Sequence, residues 1–340
     1  MTPRAGHDMT EGASPGGKRL SGVMTRFLAY GTLAACVLGV FGVAAAQQQP
    51  TFRGTGDVVR AFATVTDKDG RLVTTLTQAD FEIRDEGKPQ PITLFDHTPQ
   101  PIRLIVMLDV SGSMEGNLPL LRGACDQLFA RLRPDDMVRV GSFGHQVDVS
   151  AEFTHDVGVM RADLPRNISP DAPTPLWRAI DKALDSFGDA GDARRVVLVL
   201  SDGKDTGPLS LRERPVSQSE NIDRARRDDA MIYAVGMRSR RSRPVTPGIG
   251  PGGLQAALMA DLPDPGLARV ADETGGGYIE IRFGEDLAQA FAGVADELHN
   301  QYLLGFSPSK RDGKVHSLSI KATQAGSKAR GRKSYLAPKE

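Results

Sequence analysis

The sequence predicts an α/β protein: a parallel sheet with helices on both faces, accompanied by a small β domain made from the two ends of the chain. Three observations predict it. Residues 102–108, 195–201 and 231–236 are almost wholly apolar, as strands buried on both faces must be. Helical periodicity fills the intervals between them, which favours β–α–β crossovers and hence a parallel sheet. The flanks, 52–100 and 301–337, instead alternate polar and apolar residues, the period of half-buried strands.

The N-terminal 46 residues stand outside this pattern. A polar stretch with Lys18, Arg19 and Arg26 leads into an uncharged apolar run, 27–46, that closes on Ala44-Ala45-Ala46 before Gln47. A basic flank, an apolar core and an Ala-x-Ala end describe a secretory signal peptide over 1–46, cleaved after Ala46. An uncleaved anchor is the rival, since about 20 apolar residues span a bilayer. Leu33-Ala34-Ala35-Cys36 is a third possibility, because it looks like a lipid-attachment box. All three imply export to a periplasmic or extracellular site, with membrane contact only through this segment. Cleavage would leave Cys125 as a single thiol, so no intramolecular disulfide is expected.

From residue 52 the elements follow in order. Residues 58–66 read as a strand, 67–70 as a turn and 72–74 as its return strand. Asp67-x-Asp69-Gly70 has the start of a calcium loop but no acidic ligands at the later spacing, so a turn is expected. Two further strands fall at 81–84 and 92–95. Pro99 and Pro101 then punctuate the chain before the first buried strand, 102–108. The following helix, through Leu132, carries Cys125 as a small buried hydrophobe. Strands at 137–143 and within 146–153 pair with one another. A helix over 175–187 keeps Leu176, Ile180, Ala183 and Leu184 on one side, and the buried strand 195–201 follows. Next come a polar helix, 219–229, and the buried strand 231–236. Residues 238–260, basic at Arg238–Arg243 and then rich in Pro and Gly, read as a surface loop. A helix at 286–298 ends the central domain, 102–300. Strands at 301–306 and 316–322 complete the second flank. Neither flank can build a core alone, so 52–100 and 301–337 are expected to pack together.

Composition excludes some functions. Forty-two basic and 42 acidic residues cancel, so the clustered basic excess of a nucleic-acid binder is missing. An aromatic content of 6% offers little for stacking on bases.

The chemistry sits in three places. Asp109-Val110-Ser111-Gly112-Ser113 follows the first buried strand, and Ser201-Asp202-Gly203 ends the second. Open parallel sheets bind ligands outside the carboxyl ends of their strands. Thr174 opens the helix between these two strands and falls at the mouth of the same cleft. Asp109, Ser111, Ser113, Thr174 and Asp202 together are hard oxygen donors. Mg²⁺ takes octahedral oxygen coordination and retains waters, so two carboxylates and three hydroxyls satisfy most of its shell. A shell dominated by neutral hydroxyls leaves the cation electron-poor and receptive to a carboxylate from outside.

Asp109-x-Ser111-x-Ser113, then Thr174, then Asp202 in Leu200-Ser201-Asp202-Gly203, resembles the metal-ion-dependent adhesion site of von Willebrand factor type A domains. The resemblance covers residues 102–300. It implies a Rossmann-like fold with Mg²⁺, or alternatively Mn²⁺ or Ca²⁺, at the top of the sheet. It further implies Ser111, Ser113 and Thr174 as hydroxyl ligands, with Asp109 and Asp202 acting largely through water. Ala172-Pro173-Thr174-Pro175 departs from the Gly-Gly-Thr of many bacterial relatives and makes a stiffer loop, which puts the approach of Thr174 in doubt. Both flanks, through Leu76-Thr77-Gln78-Ala79-Asp80-Phe81 and Gln301-Tyr302-Leu303-Leu304-Gly305-Phe306, resemble those of a group known best from Acidobacteria.

The expected function is therefore that of an exported, metal-ion-dependent binding or adhesion module. Its partner would be a protein or extracellular polymer that presents an Asp or Glu carboxylate. Two alternatives stay open. One is a metal-independent envelope scaffold. The other is a metal-dependent phosphatase-like enzyme, which Ser111 disfavours because a second Asp would be needed there for proton transfer. A Ser–His–Asp hydrolase would need a Gly-x-Ser-x-Gly elbow, which the Asp109–Ser113 loop lacks, and His145 and His155 lie in strand-edge or loop sequence.

Overall fold

The structure, a computed structural model, describes residues 58–188, 191, 193–210, 212–238, 262–282 and 286–339. The leader, 1–46, and most of the 238–260 loop lie outside the described residues. Among the described residues no helix is long and apolar enough to cross a membrane. The described residues fall in one compact unit.

The centre of that unit is a six-stranded sheet. In chain order its strands are β5 (Ile102–Asp109), β6 (Met137–Phe143), β7 (Val147–Val149), β8 (Arg194–Ser201), β9 (Ala230–Met237) and β10 (Tyr278–Ile281). Across the sheet the order is β10-β9-β8-β5-β6-β7, parallel throughout except for β7, which pairs antiparallel with β6. Alternate residues of β5 and β8 explain why both runs are apolar. Leu104, Val106, Leu108, Val196, Leu198 and Leu200 enter one core, and Ile105, Met107, Val197 and Val199 enter the other. The first core is covered by α1 (Leu118–Phe129) and the C-terminal helix of the domain, Leu287–His299; the second by α3 (Leu176–Asp185), α4 (Gln218–Arg227) and a helix over Pro265–Thr274. Cys125 is fully buried in the first core, as its place on α1 implies. Burial pushes its thiol pKa well up, so it stays an inert hydrophobe.

Several elements lie beyond those the periodicity marks. The short α2 (Val157–Ala162) is capped by Asp156, whose carboxylate accepts from Gly158 and Val159. The helix Pro265–Thr274, α5, has Asp264 as its N-cap, Pro265 in its first turn and Gly275 at φ 82° as its stop. These start and stop signals are local, but they follow directly on a Pro/Gly-rich run that masks them. The strand after it, β10, is only four residues long and half-buried, with no apolar run to announce it. The helix expected at 286–298 does form, as α6 (Leu287–His299), and begins on Asp286, whose carboxylate accepts from Ala288 and Gln289.

The flanks pair with each other. Strands β1 (Val59–Thr66) and β4 (Leu94–Asp96) from the first flank join β11 (Tyr302–Phe306) and β13 (Lys328–Gly331) from the second, in the order β13-β1-β11-β4. A second sheet combines β2 (Phe81–Asp85) and β3 (Lys88–Gln90) with β12 (Val315–Ala322) and β14 (Ser334–Leu336), in the order β14-β12-β2-β3. Ala61, Val65, Ile83, Tyr302, Phe306 and Tyr335 fill the core between them. The turn at 67–70 forms as read: Asp67 Oδ1 accepts from the N–H groups of Asp69 and Arg71. Its expected return strand at 72–74 shrinks to one bridge, between Thr66 and Leu72. The Tyr302 hydroxyl donates to the Val73 carbonyl and accepts from the Leu76 N–H, drawing this stretch onto the core instead of into a ladder.

Candidate functional site

The β5–β8 register sets the site. Leu108 stands opposite Leu200, so both chains leave the sheet at the same carboxyl edge. Asp109, the last residue of β5, is fully buried. Its Oδ1 accepts from the Ser111 N–H at 2.8 Å, and its Oδ2 accepts from the Ser201 hydroxyl at 2.5 Å. The sequence marks Ser201 only as the polar end of an apolar strand; the structure makes it the brace of Asp109.

Beyond Asp109 the chain turns through a short 3₁₀ segment, Gly112–Met114, with Met114 buried in the core as its anchor. The turn brings the hydroxyls of Ser111 and Ser113 to 3.0 Å from each other. Ser113 Oγ donates to Asp202 Oδ1 at 2.6 Å, which links the two strand ends directly. Gly112 is required by its neighbours: its N–H donates to the Ala172 carbonyl at 3.1 Å, and a Cβ there would lie 1.9 Å from the Pro170 carbonyl oxygen.

Thr174 enters from the same segment. It is buried, and a Cβ on Gly203 would lie 3.0 Å from its Oγ1, so Thr174 packs against the residue that follows Asp202. The stiffness expected of Pro173 and Pro175 does not keep it from that loop. Thr206 holds it from both sides: Thr206 Oγ1 accepts from the Thr174 N–H at 3.1 Å, and the Thr206 N–H donates to the Thr174 carbonyl at 2.9 Å. Asp205 secures the start of α3 by accepting from the Trp177 N–H at 3.2 Å. Thr206 and Asp205 carry no motif, and sequence reasoning passes over both. Thus Asp109, Ser111, Ser113 and Asp202 share one hydrogen-bonded network, and Thr174 packs beside it against Gly203.

Electrostatically the site is strained in one direction. Burial pushes the Asp109 carboxyl up to about 7, hydrogen bonds from Ser111 and Ser201 oppose the shift, and the nearby Asp202 adds to it. Two carboxylates gathered out of water are suited to a cation, which would favour their charged forms. Among the described residues no three His, Cys, Asp or Glu side chains gather into a metal cluster. The donors here are two carboxylates and three hydroxyls, a set that fits a hard, oxygen-seeking cation such as Mg²⁺ better than Zn²⁺.

The histidines are engaged elsewhere or exposed. His145 Nε2 lies 3.2 Å from Asp171 Oδ1 on an exposed rim. Hydrogen bonds from Ser169 and then His145 hold that carboxyl below its usual range. His155 is exposed.

Residues 104–204 match the family model of the von Willebrand factor type A domain. Among solved structures the chain is similar to the conserved hypothetical protein BatB of Bacteroides thetaiotaomicron. The two are 18% identical, over 58% of this chain and 98% of that one, with a TM-score of 0.43. It is also similar to a von Willebrand factor type A protein of Catenulispora acidiphila, at 12% identity over 84% and 76% of the two chains and a TM-score of 0.45. A third is proximal thread matrix protein 1 of the mussel byssus, at 14% identity over 63% and 51% with a TM-score of 0.45. No curated protein matches.

Proposed function

We propose that this chain, whose residues 104–204 match the von Willebrand factor type A domain, a fold typical of protein-interaction modules, is an exported, metal-ion-dependent protein-binding module. The observation that carries this reading is the 2.6 Å bond from Ser113 to Asp202, which joins two loops 89 residues apart in the chain. Ser111, Ser113 and Thr174 would hold Mg²⁺, or Mn²⁺ or Ca²⁺ in its place, through their hydroxyls. Asp109 and Asp202 would balance its charge, largely through water. The bound cation supplies a positive charge with a free coordination position for an anionic oxygen. Ser201 holds Asp109 in place, Gly112 and Met114 fix the serine turn, and Thr206 sets the depth of Thr174. The partner is a protein or extracellular polymer whose Asp or Glu carboxylate completes the shell. Export rests on the apolar leader ahead of the fold.

A binding role accounts for the donor set better than catalysis does. The serine hydroxyls here bond to carboxylates and to each other, while His145 bonds to Asp171 and His155 is exposed, so neither supplies the imidazole partner of a Ser–His–Asp nucleophile.

Thermal melts of the full-length chain test the reading. A cation at one hundred times its Kd should stabilise the fold by about 2.7 kcal/mol relative to EDTA. Trp177, the only tryptophan, lies three residues after Thr174 and gives a fluorescence readout of the same titration. D109A should abolish both responses and carboxylate-dependent partner binding. Identical wild-type melts in Mg²⁺ and EDTA would leave the metal-independent scaffold as the better account. Turnover of a phosphate ester that D109A abolishes would overturn the non-enzymatic assignment.

A further inference from the structure

At the opposite end of β8 from Asp202, roughly 25 Å away along the strand, a second cleft lies between the central sheet and the flank strands. It is walled by β1, the first residues of β8 and β9, α4, the end of α5 and the stretch before β14. Five arginines line it: Arg60, Arg194, Arg195, Arg226 and Arg332. Two carboxylates, Asp229 and Glu273, do so as well, and Asp229 is already engaged by Arg332 at 2.5 Å.

Among the described residues the arginines at the start of β8 hydrogen-bond to neutral acceptors. Arg194 donates to the Leu298 carbonyl at 2.8 Å and to Gln301 Oε1, and its guanidinium lies 3.9 Å from the centre of the Phe62 ring. Arg195 donates to the Asp228 carbonyl at 2.7 Å. Arg194 is 8% exposed, so a permanent charge is buried there without a hydrogen-bonded carboxylate. Burial pulls its pKa down to about 10, which still leaves it charged at neutral pH. The Nε–H groups of Arg194, Arg195 and Arg332 are buried and have no acceptor among the described residues. Buried donors without acceptors are rare in folded proteins and call for a bound water or ion. Here three of them belong to side chains that line one cavity.

We propose that this cleft binds a single phosphate group. The cavity volume is about 30 Å³, room for about two waters, so a phosphate would set two of its oxygens where those waters would sit. Guanidinium forks match phosphate oxygens in geometry and charge. Arg60 lies on flank strand β1 and Arg332 on the link between flank strands β13 and β14, whereas Arg195 and Arg226 belong to the central sheet and its helix, so the ligand would fasten one to the other. The phosphate could be the free ion or the terminal group of a larger molecule, and both use the same donors.

The test is calorimetric titration of inorganic phosphate into the full-length chain. It is run in EDTA, to keep divalent cations out, and at ionic strength held constant with chloride. Saturable binding is expected, with a rise in Tm that chloride does not reproduce. Parallel titration with glycerol phosphate identifies the source: binding of both assigns the head of a larger molecule, and binding of phosphate alone assigns the free ion. R60Q removes an exposed side chain and should weaken binding about tenfold, the scale of one charge-assisted contact. R195Q should abolish it; if R195Q does not fold, R60Q decides. Phosphate that binds no better than chloride, or an unchanged affinity in R60Q, overturns the proposal.

Discussion

At the scale of single residues, the candidate site depends on side chains that do no ligation. Gly112 is the clearest case. G112A would place a methyl group 1.9 Å from a backbone carbonyl, so the loop must move and Ser111 and Ser113 with it. We expect G112A to lower stability by about 1–3 kcal/mol, the usual cost of overpacking, and to remove the Mg²⁺ response in thermal melts. T206V tests the clamp on Thr174. It deletes the acceptor of the Thr174 N–H while conserving shape, so it should cost about 1 kcal/mol and weaken cation binding more than it weakens the fold. A T206V variant with wild-type cation affinity would show that Thr174 needs no such hold.

At the scale of elements, α6 is the joint between the central sheet and the second flank. His299 at its end lies 2.8 Å from Asp136, whose carboxylate also accepts from the N–H groups of Ile102 and Arg133. Burial would raise the Asp136 pKa, but the bonds from His299 and the two N–H groups outweigh it and hold it below the usual carboxylate range. A carboxyl with a lowered folded-state pKa binds more protons unfolded than folded. Its contribution is therefore complete above about pH 4 and disappears as the pH falls through the folded value. D136N should cost about 1–3 kcal/mol at neutral pH, and its stability should fall less steeply than wild type in the acid range, as read by urea melts at successive pH values. Parallel acid limbs would contradict this role for Asp136.

At the scale of the whole molecule, the flanks and the centre are tied by buried polar bonds. Glu297 on α6 accepts from Thr64 of β1 at 2.8 Å, from Tyr233 of β9, and from Arg330 of β13. Gln301 donates to Thr64 at 2.8 Å and to Tyr233 at 3.1 Å. E297A strands Arg330 and two hydroxyls, and should cost about 2–3 kcal/mol in a single cooperative transition. A chain ending at residue 300 loses both partners of β1, which are β11 and β13, and leaves β2 paired only with β3, since β12 is lost. We expect that truncation to abolish the cooperative melt and expose strand edges that aggregate, as gel filtration would show.

The sequence by itself determined the fold class and named the residues that meet at the carboxyl edge. A strand buried on both faces must be apolar throughout, so 102–108, 195–201 and 231–236 announce themselves. Carboxylates and hydroxyls at their ends are equally visible because nothing in a core explains them. Only the tertiary structure decided what braces those residues. Ser201, Thr206 and the carbonyl of Pro170 act through contacts between segments distant in the chain, and no local spacing encodes such contacts. The same holds for α5, hidden by the composition before it, and for the arginine-lined cleft. Its members are scattered from residue 60 to residue 332, and only packing the flanks beneath the sheet brings their charges together.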